Sequence, residues 1–403
     1  MATIDSSGKA NYYFFGKESI AGSPIGENSV FELASISKTF TSTLIHQLVK
    51  EGMLNWDQEM RAFLPDSLPE TIQQITVQQL VNHTSGLPRL AEDFWPENWS
   101  NPYMDYDKTQ FYSDLMNIDL DSVGKWQYSN LGYALLGCML EELTDKKGMA
   151  SLISTLGLQN TSAEVSFRPT IYPHNFGINV EVWDFPGFNQ YMGGVRSTAT
   201  DLTQYLRYQI KNNPSFSSTY QEKDVAAVEA DSLYCRNGWL VFRRNQESII
   251  WHNGISGGSN SFIGYHIESK RGVVILSNAQ RSILDLGLHY LSNDFEIKTP
   301  KPSLTVEVQR LIEESEWDRI EDTWNHPDTL LYDKNIMDLY WLQCDYMHEK
   351  TASIALLLND LLLADLPDDR ELLYHRGKIY EIRGDLKEAQ KWYDRMNEQT
   401  HTD

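Results

Sequence analysis

The chain has 403 residues, 41% of them apolar and 12% aromatic, enough for two cores, one of roughly 290 residues and one of about 100. A formal net charge of −22 argues against a nucleic-acid partner, whose phosphates need basic side chains, and no run of about 18 apolar residues is present to span a membrane. Cys138, Cys235 and Cys344 form an odd, dispersed set that argues against a disulfide framework, and no His-Glu-x-x-His or paired-cysteine spacing suggests a metal site.

Residues 1 to 33 read as the first strands of an antiparallel sheet, with Asn11 to Phe15 a strand close to the start. No basic-then-apolar leader precedes them. As written the chain is expected in the cytoplasm, or in the periplasm or outside the cell if a leader is missing.

Phe31-Glu-Leu-Ala-Ser35-Ile-Ser-Lys38-Thr-Phe40 is the most informative stretch. Residues at i and i+3 share a helix face, so an amine at 38 is held beside the hydroxyl at 35. A serine hydroxyl is a weak nucleophile until a base takes its proton, and a lysine can serve if desolvation or nearby positive charge lowers its pKa. Phe40, Leu44, Ile45, Leu48 and Val49 continue one helix face, and Gly52 marks its stop, so a helix is expected from Ser35 to Glu51. The plainer alternative is a serine that caps this helix. Ser6-Ser7-Gly8-Lys9 has the same spacing in a turn-like segment, so the context carries the weight.

From about 57 to 230 a mostly helical subdomain is expected. Two aromatic, proline-bearing segments fall inside it, Phe94 to Tyr106 and Trp183 to Tyr191. Such loops either cover an apolar pocket or plug the gap between subdomains. Between them, Trp126-Gln-Tyr128-Ser129-Asn130 leads into an apolar helix from Leu131 to Leu143. A phenol can pass a proton in acyl transfer when a cation lowers its pKa, and an asparagine can orient a lysine or a substrate amide. The alternative is a core tyrosine followed by a polar cap.

Residues 238 to 278 read as consecutive strands and Arg281 to Ser292 as a closing helix. Trp251-His252-Asn253-Gly254-Ile255-Ser-Gly-Gly lies between two strand-like runs, Ser248 to Trp251 and Ser261 to Tyr265. Its glycines allow close backbone approach, and its N–H groups can hold an oxyanion. The same His-x-Gly spacing at His375 to Gly377 falls in a helical pattern with no chemistry around it.

Past Ile297-Lys-Thr-Pro-Lys-Pro302 strand patterns give way to helical ones. Leu339, Leu342, Tyr346, Ala355 and Pro367 recur 34 residues later as Leu373, Arg376, Tyr380, Ala389 and His401. Val306 to Trp324 reads as a further, degenerate unit. The spacing resembles tetratricopeptide repeats, whose stacked helix pairs form either a groove for a peptide or protein partner or a brace without a ligand. Two domains are expected, 1–295 and 296–403.

The three motifs, taken in order with Leu80-Val-Asn-His-Thr-Ser-Gly-Leu-Pro88, Gly193-Gly-Val-Arg-Ser-Thr-Ala-Thr-Asp-Leu202 and Gly272-Val-Val-Ile-Leu-Ser-Asn278, resemble the serine β-lactamase and penicillin-binding-protein-like hydrolases. The resembling branch holds the class C β-lactamases, D-aminopeptidases, DD-carboxypeptidases and β-lactamase-like esterases, and the resemblance covers roughly residues 10 to 295. It implies an α/β (α+β) fold of the β-lactamase/transpeptidase type, an antiparallel sheet flanked by helices plus a helical subdomain; the repeat-like all-α region follows it.

The resemblance also implies roles. Ser35 is the nucleophile, Lys38 its activator and Tyr128 the general base and acid, with Asn130 a polar positioner. His252, Asn253, Gly254 and Ile255 line the substrate, and the N–H groups of Ser35 and Ile255 form an oxyanion hole. No cofactor or metal is implied, and the partner is a small ester, amide or short peptide. One departure bears on specificity: β-lactamases of this branch carry Lys-Thr-Gly where this chain has His252-Asn253-Gly254. A histidine is mostly neutral at pH 7 and draws a substrate carboxylate less than a lysine does. A carboxylesterase or D-amino-acid peptidase is therefore expected first, and a β-lactamase or DD-peptidase second. The competing class is a non-catalytic ligand sensor with the repeats as its output.

Overall fold

The structure of the protein, a computed structural model, describes residues 1–403 apart from 20, 92–93, 121–122, 176–177, 213–222, 229–230, 245–246, 300, 349 and 399–403. The chain forms two compact units, Met1–Ala91 with Pro96–Lys298, and Glu92–Trp95 with Thr299–Asp403.

The first unit is built on an eight-stranded antiparallel sheet. Its strands are β1 (Ala2–Ile4), β2 (Ala10–Tyr12), β7 (Lys223–Val228), β8 (Asp231–Arg236), β9 (Trp239–Arg244), β10 (Glu247–Ile255), β11 (Asn260–His266) and β12 (Gly272–Ser277), arranged β2-β1-β12-β11-β10-β9-β8-β7. Two small ribbons stand apart from it, β3 (Phe31–Glu32) with β6 (Arg196–Ser197) and β4 (His174–Asn175) with β5 (Ile178–Asn179).

The return to the sheet begins at Lys223, not at 238, because Lys223–Arg236 carries charges and alanines that weaken a strand signal. At the other end β2 covers only Ala10–Tyr12, short of the strand expected to reach Phe15, while the buried β1 precedes it and pairs with β12.

The first-unit helices are α1 (Ser37–Lys50), α2 (Glu70–Gln73), α3 (Val77–Val81), α4 (Lys108–Met116), α5 (Asn130–Leu143), α6 (Gly148–Thr155), α7 (Gln190–Gly193), α8 (Ala199–Asn212) and α9 (Leu284–Leu291). Strand alternation sorts the sheet faces. Ile249, Trp251, Phe262, Val273 and Ile275 form one core with Leu288 and Leu291 of α9. His252 and Gly254 therefore share the opposite face. Helix α1 is buried on nearly all sides, although much of it is small and polar. Its hydroxyls are satisfied locally: Thr39 Oγ1 donates to the Ile36 carbonyl at 2.7 Å and Thr41 Oγ1 to the Tyr191 carbonyl at 2.6 Å.

In the second unit, α10 (Leu304–Glu313) packs on α11 (Trp317–Asn325), α12 (Ile336–Asp345) on α13 (Ala352–Asp365), and α14 (Arg370–Ile382) on α15 (Leu386–Glu398). The 34-residue register places Leu339 and Leu373, and likewise Ala355 and Ala389, in matching buried positions. Leu342 and Arg376 differ in kind: Arg376 pairs with Asp360 of α13. Gly377 is obligatory where it stands, since a Cβ there would lie 2.2 Å from the Tyr393 ring. His401 lies outside the described residues. Among the described residues no helix is long and apolar enough to cross a membrane.

Candidate active site

Ser35 lies on a 3-10 turn, Ala34–Ile36, which leads into α1 instead of belonging to it as the sequence pattern suggested. The break comes at Ala34, whose φ of +45° is left-handed and cannot continue an α-helix. The turn is fixed from outside. Leu33 N–H donates to the Val195 carbonyl at 3.0 Å, and Ser37 Oγ accepts from Val195 N–H at 2.9 Å. Ser261 Oγ of β11 donates to the Leu33 carbonyl at 2.8 Å. Ser35 itself keeps a partly exposed side chain.

Lys38 is in the first turn of α1 and only 1% exposed. Its Nζ donates to Ser35 Oγ at 3.3 Å and to the Met192 carbonyl at 2.8 Å. Burial, helped by the Arg89 charge, holds its pKa well below the usual lysine value. The surroundings therefore favour loss of the ammonium proton, at a nitrogen in contact with the hydroxyl.

Tyr128 stands just ahead of α5, and Lys38 Nζ lies 5.1 Å from the centre of its ring. Burial pushes the phenol pKa up, while the Ser35 hydroxyl and the Arg89 guanidinium pull it down. The next residue, Ser129, caps α5 by accepting from Gly132 N–H at 2.8 Å. Asn130 is the first residue of that helix, and its amide makes no hydrogen bond to Lys38, whose partners are Ser35 and Met192.

The third motif lies on β10 itself; the turn follows, at Ser256–Ser259. Nine residues of β10 pair along β9 and β11, so the strand expected over Ser248 to Trp251 runs on through the motif. His252 is 3% exposed, and its Nδ1–H donates to the Asn253 carbonyl at 2.6 Å. Burial and the nearby Lys38 lower its pKa to about 4, so it is neutral at pH 7. Gly254 is the closest approach of strand to nucleophile turn: a Cβ there would meet the Leu33 carbonyl oxygen at 2.1 Å and Ser35 N at 2.9 Å. Ile255, the next residue and the last of β10, has an exposed side chain.

Three residues that the motifs did not single out also shape the site. His83 has φ +56° and grips the Tyr128 segment on both sides, its carbonyl accepting from Gln127 N–H at 2.8 Å and its Nδ1 from Ser129 N–H at 3.0 Å. Its ring stacks on Tyr128 with centroids 4.6 Å apart, and burial keeps the imidazole neutral. Arg89, one residue past the Leu80–Pro88 segment, is exposed with its Cζ 5.5 Å from the Tyr128 ring centre. Glu32 is buried beneath the nucleophile turn, accepting from Trp183 N–H at 2.8 Å and Ser259 Oγ at 3.1 Å. A carboxylate inside an apolar run was the signal available for Glu32, whereas the left-handed backbone of His83 shows only in the structure.

The aromatic segments turn inward. Trp99, Tyr103, Tyr106, Trp183, Phe185, Phe188 and Tyr191 are buried, and Tyr103 stacks on Phe185 with centroids 4.8 Å apart. They fill the interior of the helical subdomain.

Comparison with known proteins gives the family and the fold. A family model described as Beta-lactamase matches residues 4–290. Penicillin-binding protein 4* of Bacillus subtilis (strain 168) is 37% identical over 289 residues, covering 64% of this chain and 62% of that protein. Protein flp of Staphylococcus aureus (strain COL) is 24% identical over 272 residues, 62% of this chain and 52% of its own length. The chain thus spans less than two thirds of each of these relatives. Among solved structures, a class C beta-lactamase superposes with a TM-score of 0.61 at 19% identity, covering 74% of this chain and 91% of that one. The octameric penicillin-binding protein homologue from Pyrococcus abyssi does so with a TM-score of 0.61 at 23% identity, covering 78% and 76%. These two likenesses are of fold.

Proposed function

We propose, from the premise that the chain belongs to the beta-lactamase family, that it is a serine hydrolase cleaving an ester or amide through an acyl-enzyme, as a β-lactamase-like carboxylesterase or D-amino-acid peptidase. The observation that carries this reading is the 3.3 Å contact of Lys38 Nζ with Ser35 Oγ, made by an amine whose pKa burial depresses.

The steps follow from the groups present. Neutral Lys38 takes the Ser35 proton as Oγ attacks the substrate carbonyl. The resulting oxyanion is held by the N–H groups of Ser35 and Ile255, each such donor contributing about 3 kcal/mol to the transition state. Tyr128 delivers a proton to the leaving group as the tetrahedral species collapses and takes one from the water that attacks the acyl-enzyme, and Lys38 returns its proton to Ser35 Oγ as the acid departs. Asn130 offers its amide to the substrate, while the Asn253 side chain alternates to the Trp251 face of β10 and its carbonyl accepts from His252.

The test is labelling of Ser35 by a fluorophosphonate, with turnover of a short-chain 4-nitrophenyl ester, in the wild type and in Ser35→Ala. Labelling and turnover that both vanish in the variant support the enzyme. Their absence from the wild type would leave a non-catalytic ligand sensor.

A second reading, β-lactam or DD-peptide turnover, is favoured by the identity to a penicillin-binding protein. It ranks lower because neutral His252 supplies no cation where the lactam carboxylate would lie. Efficient opening of a chromogenic cephalosporin would reverse the order.

A further inference from the structure

Neutral His252 leaves β10 without a permanent cation, yet the site is not without one. Arg89 is exposed, and its guanidinium lies 5.5 Å from the Tyr128 ring centre. Among the described residues that guanidinium has no carboxylate or hydrogen-bond partner, although it carries five N–H donors in a planar fork. Its backbone is tethered close to the site. The Arg89 carbonyl accepts from Asn130 N–H at 3.0 Å, which ties the residue to the positive, N-terminal end of α5. The Arg89 side chain is thus exposed next to Tyr128.

We propose that Arg89 is the specificity-determining residue of the site, binding a carboxylate carried by the substrate from the Tyr128 wall instead of the β10 wall. This rests on the hydrolase reading above and narrows its substrates to esters or amides bearing a second, ionised acid. A planar fork matches a carboxylate in bidentate fashion and keeps its charge at every working pH.

The experiment compares mono-4-nitrophenyl glutarate with methyl 4-nitrophenyl glutarate, which share the reacting ester and differ in charge. The ratio of kcat/KM, anionic over neutral, should fall about tenfold or more in Arg89→Gln, chiefly through KM, and recover in part in Arg89→Lys. A ratio that does not move overturns the proposal. So does an equal loss on both esters with a shifted pH profile, which would make Arg89 a positioning group for Tyr128. In a second arm, calorimetry of monomethyl glutarate binding to Ser35→Ala protein, with and without Arg89→Gln, needs no turnover. Binding that depends on Arg89 supports the assignment, and binding that is absent or unchanged overturns it. If neither ester is hydrolysed, the hydrolase reading fails while this arm still decides the role of Arg89.

Discussion

His83 holds Tyr128 from both sides in sequence and from one face in space. It bonds the backbone of residues 127 and 129 and stacks its ring 4.6 Å from the phenol. Neither residue could take its place alone: the phenol needs a fixed ring, and His83 can supply it only from its left-handed backbone.

His83→Leu should therefore lose activity without losing substrate. The change leaves the buried Ser129 N–H unpaired, at about 1–3 kcal/mol in stability, and frees the Tyr128 ring. A drop in kcat of about 100-fold with little change in KM is expected. His83→Asn, which tolerates positive φ and keeps an acceptor, should recover part of kcat. Steady-state kinetics beside a denaturant melt separates the two effects; equal loss of stability and kcat in both variants would point to a purely structural role.

Gly254→Ala should separate the strand from the nucleophile turn. The added methyl meets the Leu33 carbonyl and Ser35 N, so β10 must move and carry Ile255 N–H with it. The expected result is a fall in kcat of about 100-fold or more, the scale of losing one oxyanion donor. Burst kinetics with the nitrophenyl ester would show slowed acylation. An unchanged burst rate contradicts the assignment of those two amides.

The activity should rise with pH as Lys38 loses its proton. Its pKa lies well below the usual lysine value because burial penalises the ammonium, so kcat/KM climbs through that lowered pKa and then levels. Lys38→Arg keeps a cation that cannot accept a proton, and should cost about 10²–10⁴-fold. A pH–rate profile with no ionisation attributable to Lys38 would remove it from the base role.

Glu32 sets a stability signature of its own. Burial raises its carboxyl to about 7, against the Trp183 N–H, the Arg196 charge and the Ser259 and Ser256 hydroxyls, which lower it. The folded state then binds more protons than the unfolded chain between about 4.5 and 7. Unfolding free energy must fall as pH rises across that window, by about 3 kcal/mol at this group, and change no further above it. Glu32→Gln keeps an acceptor for Trp183 N–H and should flatten the dependence, as urea melts at pH 5 and pH 8 would report.

The Ser35–Lys38 contact could be read from spacing because both residues lie within one turn of the chain. Ser35 and Lys38 stay together even though the turn at Ala34 makes the first of them 3-10, since three residues return the chain to the same side in either helix. The tyrosine motif was legible through its abrupt passage into an apolar helix. What stayed hidden depends on partners far along the chain. The clamp at His83 closes on residues some 45 positions later, and Glu32 looked like part of an apolar strand until Trp183 and Ser259 came to meet it. Strand β10 runs four residues beyond the Ser248 to Trp251 stretch expected from its apolar residues, and Gly254 within that extension admits a neighbouring backbone.

The bent approach to the nucleophile has a cost that bears on how such a chain can drift. Ala34 keeps a methyl group in a backbone region that suits glycine, at a penalty of about 1–2 kcal/mol. Glycine there would relieve the penalty and widen the set of loop shapes open to residue 35. Selection for a tougher protein and selection for a sharply aimed hydroxyl thus pull in opposite directions at a single carbon atom.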